Sequence, residues 1–231
     1  MAIPVSNLLR PHDFPGLLVV VEGIDGSGKT TQAQLLRRWI ESRAHPVFFT
    51  EWNSSALVKK ATRTGKRKAI LTPMTFCLLH ATDFADRHMY KIVPPLKAGM
   101  AVVADRYAYT AFARDGARGV HPDWVRNAYS FAVRPDIALY FRVTPELALT
   151  RLRASRAKLK YYEAGMDMRL THDVDESFLK FQGRVIAEYD RMAEQESLLV
   201  IDASRPIAEQ QKLVRGIVAK KLGWAYRGEE A

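Results

Sequence analysis

Eight residues, Gly23-Ile24-Asp25-Gly26-Ser27-Gly28-Lys29-Thr30, satisfy the pattern GxxxxGK[S/T] and constrain this chain more than any other feature. They follow an apolar run, LLVVVE at 17–22, and open a helical pattern, TTQAQLLRRWI. That strand, loop and helix setting gives the motif its mechanism. Glycines let the backbone curl so that successive N–H groups face phosphate oxygens, and the helix N-terminus adds partial positive charge. Lys29 then reaches the outer phosphates and the Thr30 hydroxyl ligates Mg²⁺, so Gly23, Asp25, Gly26, Ser27, Gly28, Lys29, Thr30 and Thr31 form the expected ATP-binding set. A merely tight turn would not need a lysine and a hydroxyl after the last glycine. A dinucleotide fingerprint read from Gly26 fails at Thr31, where glycine or alanine is required.

Around this loop, short β-rich segments alternate with helical patterns. The strands are expected at 17–22, 47–50, 100–105, 137–142 and 198–202, and the helices at about 29–43, 54–68, 72–98, 107–115, 122–132, 144–160, 175–195 and 206–221. The strand segments are almost continuously apolar, which predicts a parallel sheet covered on both faces. The helix over 72–98 carries Pro94 and Pro95 and is expected to break or kink there. Thr144-Pro145-Glu146 has the cap, first-turn proline and early acid of a helix start. The last residues, GEEA, are expected to fray.

The chain has 231 residues, which predicts one domain over 1–231, or one with a lid. No apolar run reaches the roughly 18 residues of a membrane span. MAIPVSNLLRPHDFPG lacks the basic and apolar regions of a secretory leader. The single cysteine, Cys77, excludes an internal disulfide and suits a reducing cytosol, so a cytoplasmic protein is expected. Lys and Arg number 35 against 25 acids, a formal charge of +10, which suits anionic ligands without choosing among nucleotides, polyphosphates and nucleic acid. The excess is concentrated at 59–68 and 151–160; the plain reading of either run alone is a solvated helix face.

The stretch from Val21 to Gln32 resembles the opening of thymidylate kinases, and further signatures follow in that family's order. Phe84-Ala85-Asp86-Arg87 looks like its aromatic-x-A-x-R segment, and Asp105-Arg106-Tyr107 its DRY element. Arg134 to Tyr140, with Thr144-Pro145-Glu146, resembles its RPDLxLxLxxxPE run; Phe181 to Val185 with Tyr189 resembles the helix after the lid, and Val200 to Ala203 the final strand. The agreement covers about 17–215. It implies an α/β P-loop fold with a five-stranded parallel sheet, helices on both faces and a basic lid at about 153–174. It further implies ATP- and Mg²⁺-dependent phosphoryl transfer to a nucleoside monophosphate, dTMP by resemblance, by a homodimer.

Carried over residue by residue, Asp105 organises Mg²⁺ with Thr30, while Arg106 and Arg87 hold the acceptor phosphate and Asp25 contacts its sugar. Each also has a plainer reading: Asp105 and Arg106 as a structural ion pair, Arg87 as a solvated helix residue. Glu51, Trp52, Phe84, Tyr107 and Arg114 complete the expected acceptor set, Trp52 serving equally well as packing or as a base stack. The family places its catalytic arginine in the phosphate loop or in the lid. Gly26 occupies the loop position here, so the lid must supply it, with Arg153 and Arg156 expected beside Lys29 and Asp105 as catalytic residues and Arg169 as a further lid cation.

Four departures stand against the family's pattern. Asp83 stands where the family stacks thymine on phenylalanine, Arg114-Asp115 replaces an aromatic and a polar residue, Thr50-Glu51-Trp52-Asn53 replaces an REP or RFP loop after the second strand, and residues 158–165 lengthen the lid. A carboxylate and a guanidinium in the pocket predict an acceptor with hydrogen-bonding or charged groups and dTMP as a poor substrate. The alternatives are a kinase of another phosphorylated or polyanionic acceptor, and a nucleotide- or nucleic-acid-binding module without turnover. The second is disfavoured because Lys29, Thr30, Asp105, Arg106 and the lid arginines are all present. His80, His88, His121 and His172 lack metal-ligand spacing and are expected to be structural, and Cys77 to pack in the core.

Overall fold

The computed structural model describes residues 9–226 and Gly228. Parts of the N-terminal leader reading and of the fraying expectation therefore fall on residues outside the described ones. Five strands form one sheet in the order β2-β3-β1-β4-β5: β1 (Leu17–Glu22), β2 (Val47–Glu51), β3 (Ala101–Asp105), β4 (Ile137–Arg142) and β5 (Leu199–Asp202). Every neighbouring pair is parallel. All residues of β1 and β3 are buried. Successive side chains on a strand point to opposite faces, so both faces of the sheet centre are covered, as the unbroken apolar runs required.

The covering layers come from helices around the sheet. Helix α1 (Lys29–Ser42) packs on β1, β2 and β3 and against the last helix, α9 (Ile207–Leu222), while α8 (Val174–Glu196) packs on β4 and against α5 (Ala108–Gly116) and α7 (Pro145–Ser155). Helices α2 (Ala56–Lys68) and α3 (Pro73–Arg87) pack on each other, and α6 (Pro122–Ala128) packs beside α5. Thr144 accepts from the Leu147 N–H and Pro145 opens α7, as its sequence predicted. No helix among the described residues is long and apolar enough to cross a membrane.

Two long helices end earlier than expected. The break in 72–98 begins at His88, ahead of the prolines: residues His88–Ile92 form a π-turn, in which the Val93 N–H reaches back to the His88 carbonyl, and α4 (Val93–Lys97) restarts with proline in its first turn. Pro94 and Pro95 lack the N–H groups that the carbonyls four residues earlier would need, so the wider turn precedes them. Helix α7 ends at Ser155 and not near 160, because Arg156 is extended, at φ −161°. The chain from there to Asp173 is held by side chains on other elements.

Candidate active site

The carboxyl ends of β1, β2 and β3 deliver Glu22, Glu51 and Asp105 to one edge of the sheet, where parallel α/β sheets hold their ligands. A cavity of about 720 Å³ opens there. Its phosphate end is built by the loop before α1. Gly23, Gly26 and Gly28 have positive φ (143°, 84° and 84°), and Gly28 directly precedes the first turn of α1. A Cβ on Gly26 would stand 2.5 Å from the Ala148 carbonyl of α7, so the loop has no room for a side chain at that position. Lys29 lies on the wall, 3.9 Å from the Asp25 carboxylate. Burial, with Arg106 nearby, lowers its pKa to about 8.

Asp25 is the hub of the charge. Burial raises its pKa, but Arg114, Arg106 and Lys29 outweigh that and hold its carboxyl well below the usual range. Arg114 donates to it at 2.8 Å, and Arg106 donates to its other oxygen. Arg106 has φ +70°, an uncommon conformation for a residue with a Cβ, and it is over-determined by its surroundings. Its N–H donates to the Val21 carbonyl at 2.9 Å, its guanidinium donates to the Gly23 carbonyl, and Arg87 donates to its own carbonyl at 2.8 Å. Beneath it, the fully buried Glu22 accepts from the Tyr107 N–H, the Thr110 hydroxyl and the Tyr189 hydroxyl, at 2.7, 2.6 and 2.8 Å. Burial raises the pKa of Glu22, against the pull of these donors.

A divalent cation fits the other side of the loop. The Thr30 hydroxyl donates to Asp105 Oδ2 at 2.6 Å, while Asp105 Oδ1 is buried with no hydrogen-bond partner among the described residues. No group of three or more His, Cys, Asp or Glu able to hold a metal occurs among the described residues. One carboxylate and one hydroxyl, completed by water and substrate phosphate, is the sparse protein shell that Mg²⁺ accepts.

The remaining expected residues divide. Glu51, Trp52 and Arg114 line the cavity, as does Arg156. Arg153 does not: it is half-exposed on the outside of the lid, paired with Asp175 and with the Ala157 carbonyl. Phe84 is fully buried, 4.9 Å from the Tyr107 ring and 5.2 Å from Tyr129, and is core packing away from the cavity wall. Tyr107 is likewise core, its hydroxyl donating to the Val133 carbonyl. Arg87 is neither solvated nor on the wall. At 1% exposure it donates to the Thr50 hydroxyl and carbonyl and to Arg106, so it clamps the end of β2 to the end of β3. Thr31 is exposed in the first turn of α1.

The expected carboxylate in the base pocket is absent from its wall. Asp83 accepts from the Asn53 N–H at 3.0 Å and the Ser55 N–H at 2.8 Å, and so fixes the loop between β2 and α2 that carries Trp52. Asp115 is fully buried beside the Cys77 thiol, and burial lifts its pKa to about 6. The Arg114 charge is met by Asp25. The physical ground for expecting dTMP to be a poor substrate is thereby removed.

Of Trp52, Phe76, His80 and Tyr162, the rings that line the other end of the cavity, Trp52 alone was expected there. Phe76 and His80 of α3 have ring centroids 4.2 Å apart, Trp52 stands edge-on to His80 at 5.5 Å, and Tyr162 of the lid lies 5.0 Å from Phe76. Burial and the cations Lys66, Arg114, Arg118 and Arg106 keep the His80 pKa well below its ordinary value, so the ring is neutral. A signal for this pair was present, since Phe76, His80, Asp83 and Arg87 recur at i, i+4, i+7 and i+11 on one helix face. The basic run of α2 also splits. Lys66 and Arg67 reach the wall, and Lys66 lies 5.0 Å over the Phe76 ring. Burial, with Arg114 and Lys160 near, lowers the Lys66 pKa to about 8.

Comparison with known proteins gives the family to which the chain belongs. The profile of the thymidylate kinase family matches residues 21–214. A protein of Saccharolobus solfataricus named probable thymidylate kinase 2 is 48% identical over 208 residues, which cover 90% of this chain and 97% of the relative. Proteins named probable thymidylate kinase from Thermococcus gammatolerans and Archaeoglobus fulgidus are 29% and 31% identical, over 90% and 89% of this chain and 98% and 96% of their own lengths.

Proposed function

Because the chain belongs to the thymidylate kinase family, and is therefore a nucleoside monophosphate kinase, we propose that it transfers the γ-phosphoryl group of ATP to the 5′-phosphate of dTMP. The observation that carries this reading is the convergence of Lys29, Arg106, Arg114 and Arg156 on one cavity around Asp25, with the Thr30–Asp105 pair at its edge. Phosphoryl transfer asks the protein for positioning and for cations on spreading negative charge, and little else. The loop N–H groups and Lys29 hold the donor phosphates. Arg106 and Arg114, both anchored on Asp25, orient the acceptor phosphate. Arg156 supplies the lid cation that Gly26 cannot.

Thr30 and Asp105 are the residues that would hold Mg²⁺, which would neutralise charge on the donor phosphates. Arg87 acts from beneath, fixing the backbone of Arg106. The base rests in the aromatic cup of Trp52 and Phe76, which takes over the stacking role that Asp83 cannot fill. We read 1–231 as one kinase domain with its lid at about 153–174, working in the cytoplasm. An exposed apolar row on α3 and the π-turn, Met74, Leu78 and Met89 at helical spacing, supports a homodimer.

The test is ADP formation from ATP and Mg²⁺ with each nucleoside monophosphate in turn, with Lys29→Ala as the control. Turnover with dTMP preferred supports the reading. Turnover with another acceptor preferred refutes dTMP, and wild-type rates in Lys29→Ala refute the donor site. Sedimentation of the wild type and of Leu78→Glu tests the dimer.

A further inference from the structure

This inference rests on the kinase reading just proposed and concerns what places its lid cation. Arg156 is the first residue beyond α7, in extended backbone, so no helix turn restrains its long side chain. A freely rotating arginine at this point would be a poor finger, because holding such a long side chain in one geometry costs rotamer entropy. The structure assigns that task to Glu163: we propose that this carboxylate is the positioning residue that holds the Arg156 guanidinium in the cavity.

Three observations support it. Glu163 Oε1 accepts from Arg156 Nη2, and both side chains lie on the cavity wall. The carboxylate is itself fixed, because Oε2 accepts from the Lys160 N–H at 3.3 Å, and the Glu163 carbonyl accepts from Gln182 of α8 at 2.7 Å. Its neighbour Tyr162 is tied to the far side of the cavity, where its hydroxyl accepts from the Leu71 N–H at 2.9 Å. Glu163 is only 7% exposed, so its ion pair is little screened by solvent. Arg153 provides the contrast within the same lid: its partner Asp175 is exposed, and it lies outside the cavity.

Glu163 belongs to the inserted stretch that lengthens this lid, so the insertion is part of the catalytic geometry and not a passive extension. Glu163 touches no reacting atom and acts only through Arg156.

The experiment is a double-mutant cycle at saturating ATP, Mg²⁺ and dTMP. Glu163→Gln keeps shape and loses charge. It should lower kcat by roughly ten- to a hundredfold, the scale of a displaced catalytic group, with both KM values within about threefold of the wild type. In an Arg156→Ala background the same change should cost nothing further, since the group it positions is gone. Glu163→Asp should recover part of kcat. If Glu163→Gln melts at assay temperature, the cycle is run with Glu163→Asp and read the same way. An unchanged or raised kcat overturns the proposal, the latter because it would mean that Glu163 holds Arg156 away from its work. Losses that multiply in the double variant overturn it too. A wild type inactive with dTMP would instead sink the functional reading on which the cycle depends.

Discussion

The two ends of the cavity are built in opposite ways. At the phosphate end the working groups come from short sequence intervals: Gly23 to Thr30 in one loop, and Asp105 with Arg106 at the end of one strand. At the base end they come from the β2–α2 loop, two helices and the lid insertion, and they meet only because the chain folds. Phosphate is the same in every nucleotide and is held by backbone N–H groups and fixed charges, which a contiguous motif can supply. A base is held by a shaped apolar slot, and slots are made of whatever side chains tertiary packing brings together.

Breaking the phosphate end should cost most. Lys29→Ala removes the cation on the outer phosphates and should lower kcat by about 10³ or more, within the range for losing a fixed transition-state charge. The variant should stay folded, with its unfolding midpoint in urea at or above the wild-type value, since burying the charged Lys29 opposes folding. Next in size, Arg156→Ala should cost about 10³ in kcat, while Arg153→Ala stays within a few-fold because its exposed pair with Asp175 is weak. Equal losses at the two positions would erase the distinction the structure draws within the lid.

The base end should respond in KM and not in kcat. Trp52→Ala should raise KM for dTMP roughly ten- to a hundredfold, the worth of a lost stack, and leave KM for ATP alone. Asp83→Asn sharpens the point, because it sets an amide against two N–H groups and leaves one unsatisfied. The expected outcome is a stability loss of about 1–3 kcal/mol by urea titration. A raised KM with no loss of stability would return Asp83 to the pocket.

The smallest effect is in pH. Lys29 and Lys66 have pKa values lowered to about 8, so each carries its charge below that pH and loses it above. The kcat/KM for dTMP should therefore fall as pH rises through about 8, and Lys66→Met should shrink the fall. Stability runs the other way: burying charged Lys66 opposes folding below about 8, and that opposition fades as pH climbs towards the ordinary lysine value near 10.4. A profile flat to pH 9.5 would show that neither lysine governs acceptor capture.

The same contrast explains what was legible in the sequence. The strands and the phosphate loop follow from local patterns whose chemistry does not depend on distant partners, whereas Asp105 beside Thr30, 75 residues apart, and a lid arginine were expected only from the resemblance to thymidylate kinases. Asp83 could not be placed that way, since its role depends on two N–H groups some thirty residues upstream. Phe84 and Tyr107 fit a motif yet pack in the core, because a motif records a position and not the direction in which a helix is rolled. His80 looked structural because a histidine with no ligand-like spacing usually is. Glu163 had no signal, since nothing in the local pattern marks which lid carboxylate will meet Arg156.

Gly26 leaves a last consequence, in the history open to this chain. The backbone of α7 stands where a side chain on that glycine would go, so an arginine cannot enter position 26 unless that helix moves. Lineages that changed from a lid arginine to a loop arginine would first have had to move a helix. A fold that closes that route leaves the lid as the place from which the cation proposed for catalysis must come.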